Sequence, residues 1–368
     1  MTKQPLMKDR LGTDALGRIA VSLTKVKTGF PRHAFIASAL SGLEPLELKA
    51  RVRHIIGALH RHLPDDFNVA ADILIKLKHS HNLHGFDAWP LIDYVGEHGL
   101  GHPEKALATL KELTPLFSAE FAIRPFIIQH FGLTFQTLEK WCSDPDEHVR
   151  RLVSEGSRPR LPWGQRLPQF IKDPTPVFQL LEKLKDDPSE YVRRSVANNL
   201  NDIAKDHPET VIALCRRWQD HPTAGKTRII RHATRSLVKA GHPEVFVLLG
   251  YTENPKLDFQ SLEVSPKEIV LGGTLEFKIQ LQSTNAKPQT IVIDYAIHHI
   301  KANGKTSPKV FKFQTLEIGP GETAVLAKRH PIKPITTRKY YPGEHAIEIL
   351  INGKAMARAA FSLLERPI

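Results

Sequence analysis

The stretch YVRRSVANNLNDIAKDHPE, from Tyr191 to Glu209, carries the residues best spaced for chemistry. At about 100° per residue, Val192, Val196, Leu200 and Ile203 fall on one apolar stripe, and Arg194, Asn198 and Asp202 fall on a second stripe well away from it. An Arg, an Asn and an Asp stacked one turn apart suit hydrogen bonding to a polar ligand; an Arg-to-Asp pair on a solvated face is the plain alternative. A second group lies in SRPRLPWGQRLPQF, Ser157 to Phe170, where Trp163 keeps company with Arg158, Arg160 and Arg166. The prolines exclude a helix, and an aromatic ring among guanidinium groups suits aromatic contact beside phosphate contacts. A hydrophobic plug over repeat ends is the other reading of that tryptophan. In SAEFAIRPFIIQH, Glu120 falls in the first turn of an expected helix that Pro125 should kink, with Arg124 at i+4 able to form a surface pair. His79, His81 and His84 invite a metal, but no nearby carboxylate or cysteine completes a ligand spacing, so neither a metal nor another cofactor is expected.

The elements that must hold these residues are helices that repeat. His-Pro-Glu recurs at His102, His207 and His242, each time opening an apolar-periodic run, and the last two are 35 residues apart. Proline at the first helical position, with an acid at the positive end of the dipole, explains that punctuation. A second tag recurs out of phase: DPDEHVRRLVSEG at Asp144 aligns with DPSEYVRRSVANN at Asp187, and RIIRHATRSL at Arg228 is a looser third copy. Two helices per unit of roughly 35 to 43 residues predict an α-solenoid of HEAT type. In register across the copies, Arg151 aligns with Arg194 and Glu155 with Asn198, while Arg231 and Arg235 share a face of the third. Superposed arginines on an inner wall would track a phosphate backbone. An Asp/Arg ladder between repeats is the alternative, and Arg150 and Arg193 suit it.

Near Leu257 the pattern changes to period-two alternation, with Asn-Gly turns at Asn303 and Asn352. About 110 residues of short strands predict an immunoglobulin-like sandwich without a disulfide. The expected division is residues 1–255, a helical-repeat domain, and 256–368, an all-β domain whose loops carry Lys305 and Arg338 among other basic residues. The formal net charge of +12 at pH 7 favours a polyanion, with nucleic acid the leading partner. No apolar run approaches the length of a membrane span and no signal peptide is evident, while Cys142 and Cys215 read as reduced core thiols; a monomeric cytoplasmic, nucleoid-associated protein of bacterial type is expected.

Three separated motifs, IRPF after Glu120, VRRLVSEGSRPRLPW, and VRRSVANNLNDIAKDHPE followed by RHATRSLVKAG, closely resemble the HEAT-like-repeat alkylbase DNA glycosylases, in the AlkC branch that carries a C-terminal immunoglobulin-like domain. The resemblance covers nearly the whole chain. It implies a monofunctional enzyme that excises cationic N3-alkylated bases, 3-methyladenine and 3-methylcytosine, from double-stranded DNA without drawing the lesion into a base pocket. By position it makes Glu120 and Asp202 the catalytic carboxylates and stacks Trp163 on the deoxyribose. Arg151, Arg158, Arg160, Arg166, Arg194, Asn198, Arg231, Arg235, Lys305 and Arg338 remain the expected DNA contacts. The competing readings are a non-catalytic HEAT-repeat scaffold that binds DNA with the same surface, and an adaptor for an acidic protein.

Overall fold

A computed structural model of the protein describes residues 6–80, 82–335 and 338–365, so His81 lies outside the described residues. Among the described residues, a HEAT-like array of helices, from Thr13–Val26 to Pro243–Leu248, precedes eight strands that form an immunoglobulin-like β-sandwich. Among the described residues no helix is long and apolar enough to cross a membrane.

Helix punctuation follows the repeated tags. Pro103, Pro208 and Pro243 each open a helix directly after the histidine of the tag, with Glu104, Glu209 and Glu244 in the first turns. The Asp146 carboxylate accepts the His148 backbone N–H at 2.7 Å and so caps the helix Glu147–Gly156. The helix Glu190–Ile203 packs between Glu147–Gly156 and Ala224–Ala233, and its stripe Val192, Val196, Leu200 is fully buried. Arg150 forks onto Asp187 of the next repeat at 2.6 and 3.1 Å, and Arg193 donates to the carbonyls of Asp187 and Pro188. Arg150 is thus a rung between repeats, whereas Arg193 binds carbonyls at the start of its own repeat.

Two local expectations are corrected. Pro125 opens a helix, Arg124–Gln129, instead of kinking one, and Glu120 sits in the turn before it. Proline there needs no backbone donor, which the first turn of a helix lacks a use for anyway. The helix Ala224–Ala233 stops before Thr234, a buried β-branched residue at φ −92° and ψ 2°, so Arg231 and Arg235 lie on two successive helices and not on one.

Packing divides the chain into two compact units, Met1–His207 with His221–Ala233, and Pro208–Asp220 with Thr234–Ile368. Three helices, Pro208–Gln219, Arg235–Ala240 and Pro243–Leu248, thus belong with the sandwich, and the packing boundary falls ahead of the change from helix to strand.

The strands are β1 (Leu257–Ser265), β2 (Glu268–Val270), β3 (Thr274–Ser283), β4 (Gln289–Ile300), β5 (Thr306–Ile318), β6 (Thr323–Pro331), β7 (Gly343–Ile351) and β8 (Lys354–Leu364). One sheet runs β1-β3-β6 and the other β2-β8-β7-β4-β5, antiparallel except for β2 beside β8. Alternate residues fill the core: Leu275, Phe277, Ile279 and Leu281 of β3 pack with Ile291, Ile293, Tyr295 and Ile297 of β4. Asn352 and Gly353, at φ 46° and 77°, make the tight β7–β8 turn, and Asn303-Gly304 lies in the β4–β5 connection. Asn352 also accepts the Val292 N–H and donates to the Thr252 carbonyl, each at 2.9 Å, which ties the segment before β1 into the sandwich. Burial pushes the free thiols of Cys142 and Cys215 up to about 11 and about 12.

Candidate active site

Glu120 is held by a turn that two glycines allow its neighbours to approach. A Cβ on Gly96, in the helix Trp89–His98, would come within 2.8 Å of the Ala122 carbonyl oxygen, and a Cβ on Gly156 within 2.7 Å of the Ile123 side chain. The turn Ala119–Ile123 is therefore gripped from two helices, with Ala119 and Ile123 fully buried and Glu120 at the rim.

Around that turn an ion-pair chain is assembled. Arg151 donates to Glu120 Oε2 and to Ser118 Oγ, each at 2.6 Å, and its guanidinium lies 5.1 Å over the Tyr191 ring. Glu155 Oε1 is 3.6 Å from Arg151 and 2.6 Å from Arg158, while its Oε2 accepts from Ser195 Oγ at 2.6 Å. Arg158 Nε and Nη2 reach Asp202 Oδ2 at 2.8 Å, and Lys205 donates to Asp202 Oδ1 at 2.9 Å. Three carboxylates and three cations alternate in one line, Glu120, Arg151, Glu155, Arg158, Asp202, Lys205. Burial opposes the charges of Arg151 and Arg158, but the flanking carboxylates more than offset it and hold both above the ordinary arginine value. Low accessibility, 7% for Arg158 and 2% for Asp202, makes these pairs far less screened than surface ones.

Glu120, Glu155 and Arg158 open onto a cleft of about 310 Å³ that Phe86, Trp89, Phe117, Phe121, Leu161, Pro162 and Trp163 complete. Trp89, Phe117 and Phe121 form a tilted aromatic wall with ring centroids 5.4–5.6 Å from the Trp89 ring. Behind it the Trp89 indole donates to Asp93 at 2.7 Å; burial pushes the Asp93 carboxyl up to about 7 against that hydrogen bond. Also lining the cleft, Trp163 is 53% exposed and its backbone is left-handed, φ 64°, which a bulky residue rarely adopts. Beneath its loop lies Arg124, fully buried, donating to the carbonyls of Gly156, Arg158 and Gln165. Arg124 therefore pairs with backbone and not with Glu120, as its i+4 spacing had suggested. Burial, with Arg158 nearby, lowers its pKa to about 10.

Of the residues singled out from sequence, Glu120, Trp163 and Arg158 share the cleft, and Arg151 and Asp202 join it through the ion-pair chain. Arg151 and Arg158 meet carboxylates here instead of solvent, a departure from phosphate-facing arginines. Arg160 forks onto Asp206 at 2.7 and 2.8 Å. Arg166, Arg194 and Arg231 are exposed, and Asn198 meets His232 at 2.8 Å. Arg235, Lys305 and Arg338 belong to the second unit: Lys305 is exposed in the β4–β5 connection and Arg338 lies 6.0 Å over the Tyr340 ring. Glu155 was missed as a site carboxylate because its alignment with Asn198 made it one more residue of a repeated stripe. Asp93 was missed too, though its i, i+4 spacing from Trp89 was a usable signal.

The fold and this cleft define a helical-repeat protein in which two carboxylates and an exposed tryptophan line one groove, followed by an immunoglobulin-like sandwich. Residues 258–365 match the C-terminal Ig-like domain of the uncharacterised protein YhaZ. YhaZ of Bacillus subtilis (strain 168) is 40% identical over 310 residues, 84% of this chain and 85% of the relative. The solved structure of Pseudomonas fluorescens alkylpurine DNA glycosylase AlkC, bound to DNA containing an abasic site analog, is similar with a TM-score of 0.93 and 38% identity, covering 98% of this chain and 100% of the other. The chain belongs to the HEAT-like-repeat alkylbase DNA glycosylase family, in the AlkC branch with its C-terminal immunoglobulin-like domain.

Proposed function

We propose that the protein is a monofunctional DNA glycosylase that removes cationic N3-alkylated bases, 3-methyladenine and 3-methylcytosine, from double-stranded DNA and acts as a monomer. The observation that carries this reading is a cleft lined by two carboxylates, Glu120 and Glu155, together with an exposed aromatic ring, Trp163, with Asp202 backing Glu155 through Arg158. An N3-alkylated base already bears the positive charge that makes it a leaving group, so no general acid is required. What remains is to stabilise the oxocarbenium-like sugar and to orient a water. Glu120 and Glu155 supply negative charge, Trp163 supplies the negative face of its ring, and Asp202 fixes Arg158 so that Glu155 keeps its orientation. A cleft of about 310 Å³ shared between a sugar and a water fits chemistry on the sugar while the base stays outside. No lysine nucleophile is needed, because the reaction ends at the abasic sugar. Exposed Arg166, Arg194 and Arg231 are the phosphate contacts of the first unit under this reading, with Lys305 on the sandwich as a further one.

The test is to incubate duplexes carrying a single 3-methylcytosine, 3-methyladenine or 7-methylguanine with the protein and to quantify released free base. Release from the first two, with the strand left uncut until alkali is added, is the expected result. Duplex that is bound and recovered intact would support the scaffold reading instead.

A further inference from the structure

We propose that Trp163 is set in place by two cations that touch no substrate, Lys49 and Arg124, and that both are positioning residues; their kinetic role rests on the excision reaction proposed above. The backbone of Trp163 lies in the left-handed region, and for a side chain of this size that conformation persists only where the surroundings over-determine it. Gly164 N–H to the Leu161 carbonyl and Leu167 N–H to the Pro159 carbonyl, both 3.1 Å, close the loop, and Arg158 on Asp202 and Arg160 on Asp206 anchor its entry, yet the indole stands half in solvent.

The remaining constraints come from elsewhere in the chain. Arg124 gathers three carbonyls, those of Gly156 and Arg158 on the way into the loop and that of Gln165 on the way out, so one buried guanidinium clamps both limbs. Lys49, on the helix Leu48–His62, donates to the carbonyl of Trp163 itself, from 114 residues earlier in the sequence. Its ammonium, with the Gly164 N–H on the same peptide, orients the plane that follows the indole, and hence the direction of the ring in the cleft it shares with Glu120 and Glu155. Arg124 sets the height of the loop and Lys49 sets its rotation.

Lys49 is exposed, so replacing it disturbs no core. Trp163 is 53% exposed, whereas Trp89, Trp141 and Trp218 are 1%, 7% and 2% exposed, so acrylamide quenching of intrinsic fluorescence reports on Trp163. In the full-length protein, Lys49→Met should raise the quenching constant. It should slow single-turnover excision at saturating enzyme about tenfold, the loss expected for one charge-assisted hydrogen bond. Melting temperature should be unchanged, and duplex affinity should fall only as the loss of one positive charge requires. Lys49→Arg should restore both readouts. Arg124→Lys should move them in the same direction and lower the melting temperature as well. Parental quenching in Lys49→Met would overturn the proposal whether or not the rate fell, because Lys49 would then not set Trp163; a slower rate beside parental quenching would place its role on the DNA instead. A raised quenching constant with a parental rate would overturn it equally. If the parent released no base from any alkylated duplex, the proposed function would fall, and the tether would stand or fall on quenching alone.

Discussion

Replacing Asp202 with Asn keeps the shape of the side chain and removes its charge, which separates the electrostatics of the site from its packing. In the structure Asp202 Oδ2 takes two donors of Arg158 at 2.8 Å and Oδ1 takes Lys205 at 2.9 Å. Asp202 stands behind Arg158, which lines the cleft, so its carboxylate acts on the developing sugar charge from about 8 Å, and at an effective dielectric of about 20 that is worth roughly 2 kcal/mol. Excision should therefore slow about 30-fold if Arg158 stays in place. An Arg158 that swung toward the sugar once released would bring its positive charge closer and deepen the loss toward about 10³-fold. Losing one partner of a buried pair should also destabilise the fold by about 3 kcal/mol. Single-turnover release of 3-methyladenine at saturating enzyme, with fluorescence anisotropy on the same duplex and a thermal melt, measures all three. Excision within threefold of the parent by a folded, DNA-binding Asp202→Asn protein would refute the electrostatic reasoning.

Trp163→Ala removes an exposed ring, so stability should move by no more than about 0.5 kcal/mol while excision falls by roughly tenfold; urea unfolding beside single-turnover kinetics checks this. Arg194→Ala and Arg231→Ala should each weaken duplex binding irrespective of sequence and flatten the salt dependence by about one unit of slope, read from titrations at several salt concentrations. The sandwich should be acid-labile. Burial lowers His299 to about 3 and His330 to about 4, and lowers His345 as well. Their folded values lie below the unfolded value of about 6.5, so the unfolded chain takes up protons first. Stability contributed by the neutral rings is complete above about pH 6.5 and is lost as pH falls toward 4 and then 3, by a few kcal/mol in all. Urea midpoints from tyrosine near-UV circular dichroism across that range test it, and a midpoint that stayed flat would contradict it.

Local chemistry made much of the fold legible. The histidine-proline tags mark helix starts because proline costs nothing there, and the Asn-Gly pairs mark turns because few residues accept a positive φ. The apolar stripe of the helix Glu190–Ile203 is buried as its periodicity requires. What stayed hidden are the partners of the charged residues, because they are chosen by tertiary contact. Arg158 meets Asp202 across 44 residues and Arg124 meets Gln165 across 41, and nothing in either neighbourhood announces it. Counting arginines on an inner face gave the sign of the surface. It could not tell those that hold carboxylates from those left exposed, and Glu155 was lost in the same way.

The backbone passes from one compact unit to the other three times, after His207, Asp220 and Ala233. A gene fragment ending before Leu257 would therefore strand Pro208–Gln219 and Pro243–Leu248, whose apolar faces, Trp218 and Phe246 among them, belong with the sandwich. Evolution can trade such a module with another protein only by carrying those helices along, and a single protease nick near residue 256 should leave two fragments that co-purify.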